Sequence, residues 1–190
     1  MPAFWHKLAG MITPHDILDF WFREIDPAAW WRKDAAFDNQ LRERFGACHE
    51  AAAHGELADW RGSVPGRLAE VIVLDQFSRN IHRDTPRAFA QDGMALVLAQ
   101  ELIAGGGAQA LDARERGVLY LPFMHSESLR MQDESVRLYS DPALAGQLDF
   151  AIRHRDIIAR FGRFPHRNAI LGRVSTAEEA AFLQEPGSGF

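Results

Sequence analysis

Helix start and stop signals recur along the whole chain, while the apolar–polar alternation of a half-buried strand is nowhere sustained. Thr13 before Pro14 is an N-cap with proline in the first turn, where the missing N–H costs nothing. Phe37, Leu41, Phe45, Cys48 and Ala52 recur at steps of four and three, the stripe of a helix buried along one face, and Gly55 ends it. Pro65 opens a segment running to about Arg83. The Asp84, Thr85, Pro86 cap opens another that continues to Ile103, stopped by Gly105 to Gly107. Asp112 caps a short helix that Pro122 breaks or kinks. A helix from about Ser126 to Tyr139 follows, then Ser140, Asp141 and Pro142 start a long one reaching Phe161 and Gly162. Ser175 and Glu178 form a capping box for a last helix ending near Leu183.

About eight or nine helices joined by short turns predict an all-α fold, a tetratricopeptide-like stack of antiparallel helix pairs. Successive pairs would recur at roughly 40 residues, but no residue-level repeat or tetratricopeptide consensus accompanies them. The expected organisation is a flexible N-terminal arm over residues 1–11, one helical domain over 12–184 and a frayed tail over 185–190. Trp5, Trp30 and Trp31 fit core or interface equally.

Composition narrows the function. A net charge of −5 supplies no basic stripe for nucleic acid, and no run approaches the roughly 20 apolar residues of a membrane span. The lone Cys48 can form neither an intrachain disulfide nor a thiolate cage, which fits a reducing, cytoplasmic setting. Only Lys7 and Lys33 are lysines, so Schiff-base chemistry has few candidates.

Three polar clusters interrupt the apolar segments. In the first, the stripe Leu68, Ile72, Asp75, Arg79, His82 turns from apolar to charged without changing direction, with Asn80 beside it. The same pattern is consistent with a simple Asp75–Arg79 pair at a helix end. The second is His125, Ser126 and Glu127, where capping accounts for Ser126 and Glu127 but leaves His125 pinned beside an apolar run. The third runs from His154 through Arg163, Phe164, Pro165, His166, Arg167 and Asn168 to Arg173. His154 lies on a core-facing stripe; the loop after Gly162 concentrates guanidinium, imidazole and amide groups in the manner of a binding loop. A solvated turn is the alternative. His154, Arg155, Asp156 lacks the asparagine of a kinase catalytic loop, Phe161 standing in its place. Nucleophile-elbow, zincin and phosphate-loop signatures are absent; His125 and Glu127, two apart, are poorly placed for joint metal binding, and a metal shared by His125, His154 and His166 would require the fold to bring them together.

The blocks LDQFSRN (Leu74 to Asn80), LPFMHSE (Leu121 to Glu127) and FGRFPHRN (Phe161 to Asn168), with Arg173, Ser175 and Thr176 beyond, closely resemble the bacterial family catalogued as domain of unknown function 924. The resemblance spans Ile12 to Leu183. It implies a tetratricopeptide-like helical fold and assigns no activity and no residue roles.

The three clusters are expected to converge on one concave pocket that takes a small anionic molecule or a peptide end without a cofactor. His166 or His125 would act as general acid or base, oriented by Asp75 or Glu127. Arg79, Asn80, His154, Arg163, Arg167 and Asn168 would bind the ligand, with the two arginines Arg79 and Arg167 clamping a carboxylate or phosphate. Hydrolysis or group transfer is the implied reaction class. A non-catalytic groove holding a partner peptide is the competing reading, and a structural network pinning helix pairs is the third.

Overall fold

The computed structural model describes residues 12–189; the N-terminal arm, with Trp5, and Phe190 lie outside the described residues. Among the described residues the structure is helical, with no strand.

The first helix, α1 (Pro14–Asp19), starts at a capping box in which Thr13 and Asp16 satisfy each other's backbone N–H groups, and it runs on as a π-helical turn, Phe20–Glu24. Next, α2 (Ala35–Ala53) is capped by Asp34 and buries all five residues of the predicted stripe. The third, α3 (Val64–Ile72), is capped by Ser63 and passes without a break through a π-helical turn, Val73–Phe77, into α4 (Ser78–Ile81). After a 3-10 turn at Pro86–Phe89 come α5 (Asp92–Ala104), α6 (Ala113–Leu119), α7 (Leu121–Met124), α8 (Leu129–Tyr139), α9 (Ala145–Phe161) and α10 (Ala177–Phe182).

The apolar segment at α3 is the axis of the packing: α1, α5 and α6 all lie against it, and α2 covers the π turn and α4. This burial from several sides is why Leu68, Ile72, Leu74 and Phe77 are wholly inaccessible. Phe20, Phe45 and Phe77 form an aromatic centre, with ring centroids 4.9 Å (Phe20–Phe45) and 5.2 Å (Phe45–Phe77) apart. Trp30 stacks on Trp21 at 5.3 Å and its indole N–H donates to the Trp21 carbonyl. Cys48 is a buried hydrophobe whose thiol is pushed up to about 12 by burial and by Glu70. Farther along, α8 and α9 pack as an antiparallel pair, Arg155 reaching back to Asp133. A second, smaller core of Ile157, Ile158 and Phe164, joined by Phe161 and Phe182, seats the C-terminal segment.

Four predicted boundaries shift, each for a local reason. The helix expected from Pro142 begins at Ala145, because residues 142–144 close as a separate 3-10 turn. The helix expected from Pro86 begins at Asp92, because residues 86–89 close as a separate 3-10 turn. The helix expected from Ser126 begins at Leu129. Residues 125–128 are instead held as a loop, with the Gln132 amide donating to the Met124 and Ser126 carbonyls, each at 2.7 Å. The last capping box is Thr176 with Glu179, one residue beyond Ser175 and Glu178, because Ser175 accepts a hydrogen bond from Asn168. Residues 185–188 turn back, the Ser188 hydroxyl donating to the Leu183 carbonyl.

Candidate functional site

The polar residues meet at the seam between the two hydrophobic clusters. Asp75 comes from the π turn, and its carboxylate, 1% exposed, accepts from Arg79 Nη1 at 3.1 Å and from His125 Nδ1 at 2.9 and 3.0 Å, with the Gln76 amide alongside. Such a turn displaces the side chains that follow it relative to a regular helix, and it recurs at functional positions. Arg79 turns its other face to Asp92, a two-bond contact at 2.8 and 3.0 Å.

Asp92 stands in the first turn of α5 and also accepts from Arg167 Nη1 at 3.1 Å, so one carboxylate serves two guanidiniums. Arg167 is held flat between two rings, 4.5 Å from the Phe89 centroid and 4.7 Å from that of Phe164, and its Nη2 donates to the His125 carbonyl. Its Nε is buried without an acceptor.

Burial alone would raise the Asp75 carboxyl, but Arg79 and His125 hold it well below the usual carboxylate range. Burial and then the Arg79 charge push His125 down. The dyad is therefore an ionised carboxylate with a neutral imidazole, Nδ1–H donating to Asp75 and Nε2 carrying the lone pair. Burial and Arg79 lower Arg167 to about 10, the mark of a guanidinium incompletely neutralised by its surroundings.

His125, Asp92 and Arg167 face a cleft of about 350 Å³ whose remaining walls include Phe89, Leu96, Ser126, Glu127 and Leu171. Behind it, Phe164 contacts both His154, at 5.7 Å between centroids, and His166, at 5.5 Å. His154 Nδ1 lies 2.7 Å from the Phe150 carbonyl. Burial and the neighbouring positive groups lower His154 to about 3 and His166 to about 4.

The predicted residues thus divide. Asp75, Arg79, His125 and Arg167 converge, and His154 and His166 line up behind them. Glu127 reaches the cleft rim but is committed: Arg173 grips it at 2.7 and 2.9 Å and the Phe164 N–H donates to it at 2.8 Å, holding it below its ordinary value against the effect of burial. Its hydrogen bonds brace Arg173 and the Phe164 backbone. Of the predicted residues only His125, Glu127 and Arg167 line the cleft; Asp75, Arg79, His154 and His166 stand behind it, and Asn80, Arg163 and Asn168 are engaged elsewhere. Asn80 donates to Asp38 beside Arg83, Arg163 forms two bonds to Glu179, and Asn168 donates to Ser175. Asp92 was missed, since a lone acid in a helix's first turn reads as a response to the helix dipole and nothing in its spacing ties it to Arg79 or Arg167.

Among the described residues no helix is long and apolar enough to cross a membrane. A comparison with curated proteins finds no match. The solved structure of a protein of unknown function from Agrobacterium tumefaciens is similar over 90% of this chain and 96% of that one, at 43% identity and a TM-score of 0.85. Residues 17–187 match the family described as "Bacterial protein of unknown function (DUF924)", and with almost the whole chain covered the protein belongs to that family.

Proposed function

We propose that the cleft beside Asp75 and His125 binds a small molecule or peptide end carrying a carboxylate or phosphate, and that His125 acts there as a general base. The observation that carries the reading is the pairing of a buried, ionised Asp75 with His125 at the wall of a cleft that also presents Arg167. Asp75 fixes the tautomer and orientation of the ring, so that Nε2 is the free basic atom. Arg167, stacked between Phe89 and Phe164, is preorganised for an anionic group and gains from one, because Asp92 is shared with Arg79.

The chemistry that suits these groups is hydrolysis or group transfer without a cofactor. Water or an alcohol attacks the ester, amide or phosphoryl centre, His125 Nε2 takes its proton, and the imidazolium returns that proton to the leaving group. The protein's setting as a soluble cytoplasmic chain belongs to the same proposal.

The test is a thermal-shift screen against carboxylates, phosphate monoesters and short peptides. A ligand at a hundred times its Kd stabilises by about 2.7 kcal/mol. The shift should disappear in His125→Gln and in Arg167→Lys, each first shown to be folded by circular dichroism. A panel without hits, or hits that persist in both variants, refutes the reading.

A further inference from the structure

On the side of the π turn served by α2, a second group of side chains has no role in the cleft. His49, on α2, is 2% exposed. Its Nε2 lies 2.7 Å from Ser78 Oγ, whose own hydrogen is committed to the Leu74 carbonyl at 2.6 Å. Ser78 must therefore accept, His49 Nε2 must carry the hydrogen, and Nδ1 is left as a lone pair. That Nδ1 is buried and has no hydrogen-bond partner in the protein.

The His82 ring lies 5.0 Å away, centroid to centroid, and its Nε2 is likewise buried without a hydrogen-bond partner. The Glu50 carboxylate is 4.0 Å from that nitrogen, beyond hydrogen-bond reach. One ligand atom from each of His49, Glu50 and His82 lies within 4.8 Å of the others.

We propose that His49 Nδ1, His82 Nε2 and the Glu50 carboxylate bind one divalent cation of the Zn²⁺ class, with solvent completing the coordination. Two imidazole nitrogens and one carboxylate are a recurrent three-ligand set for zinc, and an open fourth position accompanies it. Two inward-facing imidazole atoms without donors are otherwise hard to rationalise in a buried site. Ligand atoms of a tetrahedral zinc stand about 3.3 Å apart, so the three must draw together by up to about 1.5 Å. His49 is fixed, and the adjustment falls on His82 and on Glu50, whose side chain is 46% exposed.

The Ser78 contact is the outer hydrogen bond that holds a ligating histidine in one tautomer. Burial also lowers both rings, His49 to about 4, which keeps them in the neutral form that ligates. Two guanidiniums face the group. Arg87 bonds Glu50 Oε1, the same oxygen that lies 4.0 Å from His82 Nε2, and Arg42 adds a more distant positive charge felt by His82. Bound metal would tie the end of α2 to the end of α4. Nothing in the sequence announces this, because His82 is remote along the chain from His49 and Glu50.

The experiment uses the untagged full chain, stripped with chelator and titrated with Zn²⁺ by calorimetry and with Co²⁺ by visible absorption. The expected result is one equivalent of Zn²⁺ bound, tetrahedral-type Co²⁺ bands that Zn²⁺ displaces, loss of both in His82→Ala, and at least about tenfold weaker binding in the surface variant Glu50→Gln. The His125→Gln variant of the cleft should bind metal as the unaltered protein does, which separates this proposal from the one above. Absence of a stoichiometric site, or wild-type affinity in either His82→Ala or Glu50→Gln, overturns it. Circular dichroism of each metal-free variant distinguishes a lost site from a lost fold.

Discussion

Acid should unfold this protein earlier than its carboxylates would. His154 and His166 are held neutral chiefly by burial, at about 3 and about 4, whereas in the unfolded chain each titrates near 6.5. Because the folded values are depressed, the unfolded chain binds more protons at any pH between the two values. Stability is then fully present above about pH 6.5 and is lost as the pH falls toward the folded values. Each histidine contributes a slope of about 1.4 kcal/mol per pH unit, so between pH 6.5 and 4.5 the two together remove about 5 kcal/mol. That is comparable with the whole stability of an ordinary domain, about 5–15 kcal/mol. His125 acts in the same direction, and so do His49 and His82, which makes two protons the minimum. Urea titrations at half-unit steps of pH, in chelator, measure the slope directly, and His154→Gln should reduce it by about 1.4 kcal/mol per unit. Carboxylates do not confuse this window, since they protonate mainly below it. A stability that stays level between pH 7 and 5, or an unchanged slope in His154→Gln, refutes the reasoning.

Three further substitutions test the packing and one of its buried ion pairs. Ala at Gly66 would drive its Cβ into the Trp60 carbonyl at the start of α3, so Gly66→Ala should lower stability by more than about 2 kcal/mol in urea unfolding. Gly46→Ala in α2 meets nothing nearer than Arg42 Cγ at 4.0 Å and should instead raise stability by about 0.5–1 kcal/mol. Arg61 is the two-bond partner of Glu70, whose side chain is wholly inaccessible, so Arg61→Met should cost roughly 2–4 kcal/mol by stranding a buried charge; Glu70→Gln in the same background should recover part of it.

What the sequence made legible was local. Caps at Thr13, Asp112 and Gly162 follow from a few neighbouring residues, and the stripe on α2 follows from helical period alone. The π turn at Val73–Phe77 left no such trace, because a residue inserted into an apolar helix changes direction but not composition. The dense block after Gly162 was read as one binding loop; in space it separates. Arg163 and Asn168 pin the C-terminal segment, while Arg167 alone enters the cleft. A guanidinium's partner lies across the fold, so residue type announces a charge without announcing which carboxylate receives it. Asp92, Glu179 and Asp38 are such receivers, each far along the chain from the arginine it holds.

Asp92 gives the sharpest test of the anion reading. It is the one carboxylate shared by Arg79 and Arg167, and its side chain is 18% exposed, against 1% for Asp75. Asp92→Asn leaves Arg79 with Asp75 but leaves Arg167 with only the His125 carbonyl, so the cleft gains an uncompensated positive charge. The cost should be about 1–3 kcal/mol, below that of a fully buried pair because water reaches Asp92. An anion entering from solvent would replace the lost charge, so added phosphate should recover much of the melting temperature in Asp92→Asn. Asp75→Asn should also be destabilised, but phosphate should not recover it, because the missing charge lies behind His125 and Arg79, out of reach of solvent. Equal recovery of both variants would show only a general salt effect, and recovery of neither would mean that Arg167 does not receive anions from the cleft.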